Sequence, residues 1–165
     1  MKLLFTIFIC FLFCSCSNID FLLATKDGED ILKNKTLINT NGWENPVLKE
    51  VLILRLGEVN DKRFFLSAQA NEEQMKRSVS ENQVAQKIDY KITINYALED
   101  QTGKCPIISN VQTSGFSFTP KSSGYNFASD VFLQNLYEEA FLESVDNFIA
   151  FANNKLHSSG CLDES

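Results

Sequence analysis

The stretch Gln86-Lys87-Ile88-Asp89-Tyr90-Lys91-Ile92-Thr93-Ile94-Asn95-Tyr96-Ala97-Leu98-Glu99 decides the fold. Ile88, Tyr90, Ile92, Ile94, Tyr96 and Leu98 fall on one side of an extended chain. Lys87, Asp89, Lys91, Thr93, Asn95 and Glu99 fall on the other. A period of two held this long means a β-strand with one face covered and one face wet. Asp100 to Lys104 contains Thr102-Gly103 and reads as a tight hairpin connection. Ile107 to Phe118 is the returning strand. Its Ser109, Asn110, Gln112, Thr113 and Ser114 give it the polarity of an edge strand, and Pro106 and Pro120 bracket it.

Upstream, Phe64, Leu66, Ala68 and Ala70 alternate within Arg63 to Ala70 and define another strand. The polar run Asn71 to Gln83 reads as a long hairpin region, partly extended and solvated; a short exposed helix is the alternative. Asn45-Pro46 suits a helix start, with Asn as cap and Pro at the first helical position. Val47, Leu48, Val51, Leu52 and Leu54 make one helical face, and Gly57 a stop. Val51 to Leu56 is also readable as a buried strand. Thr36 to Thr40, bounded by Asn41-Gly42, is a short strand. Lys121 to Tyr125 is turn-rich. Asn126 or Ser129 then caps a long helix to about Asn154, with Leu133, Tyr137, Ala140, Phe141, Val145, Phe148, Ile149 and Ala152 as its apolar stripe.

Together these predict an α+β fold: a small mixed or antiparallel sheet of about four strands with two helices on one face, in the order strand-helix-strand-strand-strand-helix. The expected organisation is a leader at 1–15, a tether at 16–35, the α+β domain at 36–154 and a polar tail at 155–165. At 165 residues one domain is the prior. The formal net charge of -6 argues against a nucleic-acid partner, which asks for a basic patch.

The leader reading rests on Lys2, then a run from Leu3 to Phe13 that is apolar apart from Thr6. A helix over that run rises roughly 16 Å, about half the hydrocarbon thickness, so it suits a signal peptide and not a membrane span. It ends in Phe13-Cys14-Ser15-Cys16, which resembles the lipobox of bacterial lipoproteins, with Cys16 as the lipidated residue. Cys14 fits poorly, because Phe13 would fill the site meant for a small side chain. Ser17 stands where an Asp would resemble an inner-membrane retention signal, so outer-membrane sorting is favoured, with the protein held by its lipid on the periplasmic face. Cys105 and Cys161 then remain in an oxidising compartment. They are either a disulfide or two unrelated thiols; spacing alone does not decide.

Little in the sequence carries chemistry. The single histidine, His157, sits in the expected tail, and no nucleophile has a second imidazole to serve it. No cysteine spacing suits zinc and no glycine loop suits a phosphate, so neither enzyme activity nor a cofactor or metal is expected. Lys76, Arg77, Lys87 and Lys91 are candidate contacts for lipid phosphates, set against the reading that they belong to a solvated charged face. Phe116, Phe118 and Tyr125 are either a contact patch or core filling, and core filling is the better reading.

Ile88 to Gly103 with its continuation Lys104, the Ser117-Phe118 and Ser122 to Phe127 approach to the last helix, and the helix with Glu138, Glu139 and Ala140 resemble the lipopolysaccharide-assembly lipoproteins (LptE), in particular their alphaproteobacterial branch. The likeness spans roughly Thr36 to Asn154. Ser17-Asn18-Ile19-Asp20-Phe21 departs from the family's usual segment after the lipidated cysteine. The resemblance implies a non-catalytic outer-membrane lipoprotein that partners a β-barrel translocon, aids its assembly, and takes part in delivering lipopolysaccharide. Rival readings are an auxiliary lipoprotein of an envelope phospholipid ABC transporter and a lipoprotein activator of a peptidoglycan synthase.

Overall fold

The alternation in Ile88 to Leu98 is realised as β3, Ala85–Asp100, in a computed structural model that describes residues 31–79, 85–120 and 127–159. Around it lie β1 (Thr36–Gly42), α1 (Asn45–Leu56), β2 (Phe64–Val79), β4 (Ile108–Phe118) and α2 (Phe127–Ser158). The four strands form one sheet in the order β1-β2-β3-β4. β1 runs parallel to β2, whereas β2, β3 and β4 are successively antiparallel. The fold is therefore α+β on a mixed sheet, with β4 at an edge, as its polarity predicts.

Register stacks the apolar positions of neighbouring strands. Leu66 lies opposite Leu98, Ala70 opposite Ile94, and Tyr90 opposite Phe116. These residues face the helices. α1 packs on β1 and β2, α2 on β3 and β4, and the two helices touch each other. Between the layers Phe64, Leu66, Ile92, Ile94, Phe141, Val145 and Phe148 are all essentially fully buried. Tyr96 stacks on Phe148 with ring centroids 4.2 Å apart, and its hydroxyl meets Ser144 Oγ at 3.0 Å. That bond satisfies the polar atoms Tyr96 and Ser144 bring into the core.

The helix reading of Val51 to Leu56 holds: Leu48, Val51, Leu52 and Leu56 are the buried face of α1. The cap differs from expectation. Glu44, in a left-handed conformation, is the cap residue and makes no side-chain cap bond, while Asn45 is already helical. The first helical bond runs from Leu48 N to Glu44 O at 3.1 Å. Gly57 ends the helix at φ 75°, donating to Ile53 O. The positive φ favours glycine, and a Cβ there would stand 2.1 Å from Asn34 Oδ1, so the Asn34 side chain would have to move aside for any other residue.

Three boundaries move outward. Asn71 to Val79, read as part of a hairpin region only partly extended, is regular strand throughout and continues β2. From Glu73 to Arg77 both faces of the strand are exposed, so its pairing with β3 rests on backbone bonds and demands no apolar residue. The expected tether at 16–35 overlaps the packed unit, because Leu32 is fully buried. Thr36 Oγ1 donates to Leu32 O at 2.8 Å, and Asn34 N donates to Leu56 O at 2.6 Å. This segment is a turn, and a turn has no period to read. At the other end α2 passes Asn154 and runs to Ser158, which takes residues from the expected tail. One further turn after Ala152 delivers Leu156 to the core at 1% exposure.

Candidate functional site

With the helices on one side, the opposite face of the sheet is left to the odd-numbered side chains of β2, β3 and β4. Its middle forms a shallow trough of about 520 Å³ lined by Ser67, Gln69, Asn95, Ala97, Ser109 and Val111. These side chains carry hydroxyls and amides and no ionisable group. They can exchange hydrogen bonds with a partner, but they cannot hold or transfer a proton at neutral pH. Sequence reading missed the trough as a site. Its signal was that the outward positions of the strands are small and uncharged here and charged further along the same strands.

The charged part lies toward the β2–β3 hairpin, where a second hollow of about 390 Å³ is bordered by Glu73, Met75, Arg77, Asp89 and Lys91. Arg77 pairs with Asp89, and Lys91 Nζ lies 3.2 Å from Glu73 Oε2. The hydrogen bond from Ser117 Oγ is the largest influence holding the Asp89 carboxyl below the usual range, and the charges of Arg77 and Lys87 add to it. The structure thus brings Arg77, Lys87 and Lys91 to one neighbourhood with acids set among them. Lys76 does not join them. It stands opposite Ile88, on the side of the sheet that carries the helices, just before the register shifts at Ser78.

Under the helices, Phe116 stacks on Tyr90 at 4.9 Å and meets Tyr137 edge-on at 5.1 Å. Phe118 is buried, with its ring 6.3 Å from that of Phe132. Both serve the core; Tyr125 lies outside the described residues. Tyr137 donates to the Glu72 carboxylate. Burial pushes the Tyr137 phenol well above its ordinary range, and the Glu72 contact pushes the same way. A cleft of about 320 Å³ opens beside it, between Glu44 and Val47 on one side and Asp130 and Leu133 on the other.

Cys105 is disulfide-bonded at the end of the β3–β4 turn. The Asp100 carboxylate fixes that turn: Oδ1 accepts from Thr102 N at 3.1 Å, and Oδ2 accepts from Thr102 Oγ1 at 2.6 Å and from Cys105 N at 3.1 Å. Partial burial works to raise the Asp100 pKa, but these bonds outweigh it and leave it lowered. Cys16 and Cys161 lie outside the described residues. His157 is exposed in the last turn of α2. Among the described residues, no group of His, Cys, Asp and Glu is placed to hold a metal ion, and no helix is long and apolar enough to cross a membrane.

No protein-family model matches this sequence, and no curated protein is close enough in sequence to match. Solved structures do match in fold. A protein of Caulobacter crescentus described as a lipoprotein aligns with a TM-score of 0.55 at 17% identity, over 74% of this chain and 91% of its own. The rare lipoprotein B of Shewanella oneidensis aligns with a TM-score of 0.52 at 10% identity, over 76% of this chain and 99% of its own. At such identities the likeness is one of fold: this β-α-β-β-β-α arrangement is one that bacterial lipoproteins use.

Proposed function

We propose that this chain is a lipoprotein anchored through Cys16 on the periplasmic face of the outer membrane, where it partners a β-barrel translocon in lipopolysaccharide transport and outer-membrane assembly without covalent chemistry. The observation that carries the reading is the two-sided sheet. One face is filled by two helices, and the other is a broad, open surface of small polar groups bordered by charge. Such a surface suits lasting contact with the polar wall of a larger protein better than turnover of a small substrate. The lipobox-like end of the leader and the fold shared with lipoproteins support the same reading. Any contact with lipid phosphates falls to Arg77, Lys87 and Lys91, which must exchange Glu73 and Asp89 for the phosphate to make it.

The test is gentle detergent extraction of the tagged full-length protein from its own envelope, with co-purifying proteins identified by mass. A near-stoichiometric large outer-membrane barrel is expected. Recovery with the subunits of a phospholipid ABC transporter, or with a peptidoglycan synthase, would replace the translocon by that partner. Cys16→Ala should move the protein from the membrane to the soluble periplasmic fraction; retention on the membrane refutes the anchor.

A further inference from the structure

We infer that the free edge of β4, with the flank of α2 above it, is a docking site for an extended, basic segment of a partner protein, which joins the sheet as a fifth strand. The inference stands apart from the lipid anchor and from the open face of the sheet.

β4 ends the sheet, and among the described residues no strand lies beyond it. An antiparallel strand turns the backbone N–H and C=O groups of alternate residues toward its neighbour, so about half of those of β4 point away from β3. Edges are normally kept from pairing by shortness, by charge, by proline or by a bulge. β1, the other edge, is short at seven residues. β4 carries none of these protections. It is eleven residues long, Ile108 to Phe118, with no charged residue and no proline. Its register against β3 runs from Ile108 to Phe118 without a shift. Ser109, Thr113, Gly115 and Ser117 are small and exposed, and leave room for another backbone to approach.

α2 gives this edge a wall. Ser114 Oγ donates to Ala140 O at 3.2 Å, and the Phe132 ring lies 6.3 Å from that of Phe118, so the helix passes close over β4. Phe132, Leu136, Glu139 and Glu143 follow one another at helical spacing and form a stripe beside Ala140. Phe132 is 54% exposed and Leu136 half-buried. Glu139 and Glu143 are exposed, and neither has an ion pair among the described residues. A strand added about 4.8 Å from β4 runs beneath this stripe. It meets apolar side chains near Phe118 and carboxylates further along.

Charge decides the occupant. Every charged side chain of α2 from Asp130 to Asp146 is an acid. A second copy paired through β4 would set this acidic flank against its own image, with no base on either β4 to answer it, and like charges oppose pairing. A lysine or arginine on the helix side of a foreign strand meets Glu139 or Glu143 instead. Backbone bonds then supply affinity and the carboxylates supply selectivity.

The probe is an acetylated decapeptide of alternating threonine and lysine, added to the full-length protein in detergent while amide exchange is followed by mass. Without it, about half of the amides over 108–118 should exchange freely. The peptide should slow them roughly tenfold or more and leave 36–42 unchanged. N-methylation of alternate peptide amides should abolish the effect. Glutamate in place of lysine should weaken binding roughly tenfold at low salt, and Glu139→Lys with Glu143→Lys should reverse that preference. Slow exchange of every amide over 108–118 before addition means the edge is already filled, and overturns the inference. So does an unchanged exchange pattern at millimolar peptide, an equal effect of the N-methylated peptide, or a preference that the charge reversal leaves unaltered. Self-association that protects 108–118 would place a second copy on the edge and overturn the assignment of the occupant.

Discussion

Tyr96 is the group on which an alkaline titration of this protein should turn. It is 2% exposed, stacked on Phe148 and hydrogen-bonded to Ser144. Burial pushes its phenol well above the ordinary value of about 10, and the Ser144 bond offsets this only in part. Burial likewise raises Tyr137 and, with less force, Tyr90. In the unfolded chain these phenols ionise near pH 10. Above that pH the unfolded state releases protons that the folded state retains, so stability is fully present below about pH 10 and is lost as pH rises toward the folded values. The loss is about 1.4 kcal/mol per pH unit for each phenol held fully protonated. At pH 11 Tyr96 alone therefore costs about 1.4 kcal/mol, and Tyr96 and Tyr137 together about 3 kcal/mol, against a typical total stability of about 5–15 kcal/mol. Urea denaturation at pH 8 and pH 11 measures this, with Tyr96→Phe as the control. At pH 8 that substitution should cost about 1 kcal/mol, because Ser144 loses its partner. It should also shrink the loss between pH 8 and pH 11 by about 1.4 kcal/mol. Losses of equal size in the two proteins, or native absorbance at 295 nm in which every tyrosine ionises near pH 10, would refute the reasoning.

Phe148→Ala empties the centre of the contact between α2 and the sheet, and chemical denaturation should show a loss of about 3–5 kcal/mol. Gly115→Val drives a Cβ to 2.8 Å from the backbone oxygen of Tyr90. It should cost about 1–3 kcal/mol and weaken amide-exchange protection along β3 and β4, whereas unchanged protection would count against the register. Arg55→Ala breaks an ion pair with Asp146, 2.7 Å long, that links the two helices on a well-solvated surface. It should change stability by less than about 1 kcal/mol at moderate salt.

Much of the local structure was legible because its signal lies within single segments. The alternation of Ile88 to Leu98 and of Phe64 to Ala70, and the stripe from Leu133 to Ala152, are set by where successive Cβ atoms point, and that depends only on backbone geometry. The same logic identified β4 as an edge strand and Phe116 and Phe118 as core. Reading stopped where a segment's role depends on a distant partner. Asn71 to Val79 is polar on both sides and becomes strand only because β3 offers it a ladder of backbone bonds. Leu32 precedes β1 in a segment without period, and enters the core because the turn after it is bonded to Leu56 through Asn34 and to Phe64 through Lys35. The lysines and arginine near the hairpin looked alike in sequence. Cross-strand pairing sets Arg77 against Asp89 and Lys91 against Glu73, while strand alternation ahead of the register shift puts Lys76 on the other side. The trough from Ser67 to Ser109 arises only when β2, β3 and β4 lie side by side. By itself, then, the sequence determined the elements and their buried faces, through periods of two and 3.6. Tertiary structure alone decided the parallel pairing of β1 with β2, the neutralisation of the charges and the shape of the open face. Those are relations between segments far apart in the chain, and no local period encodes them.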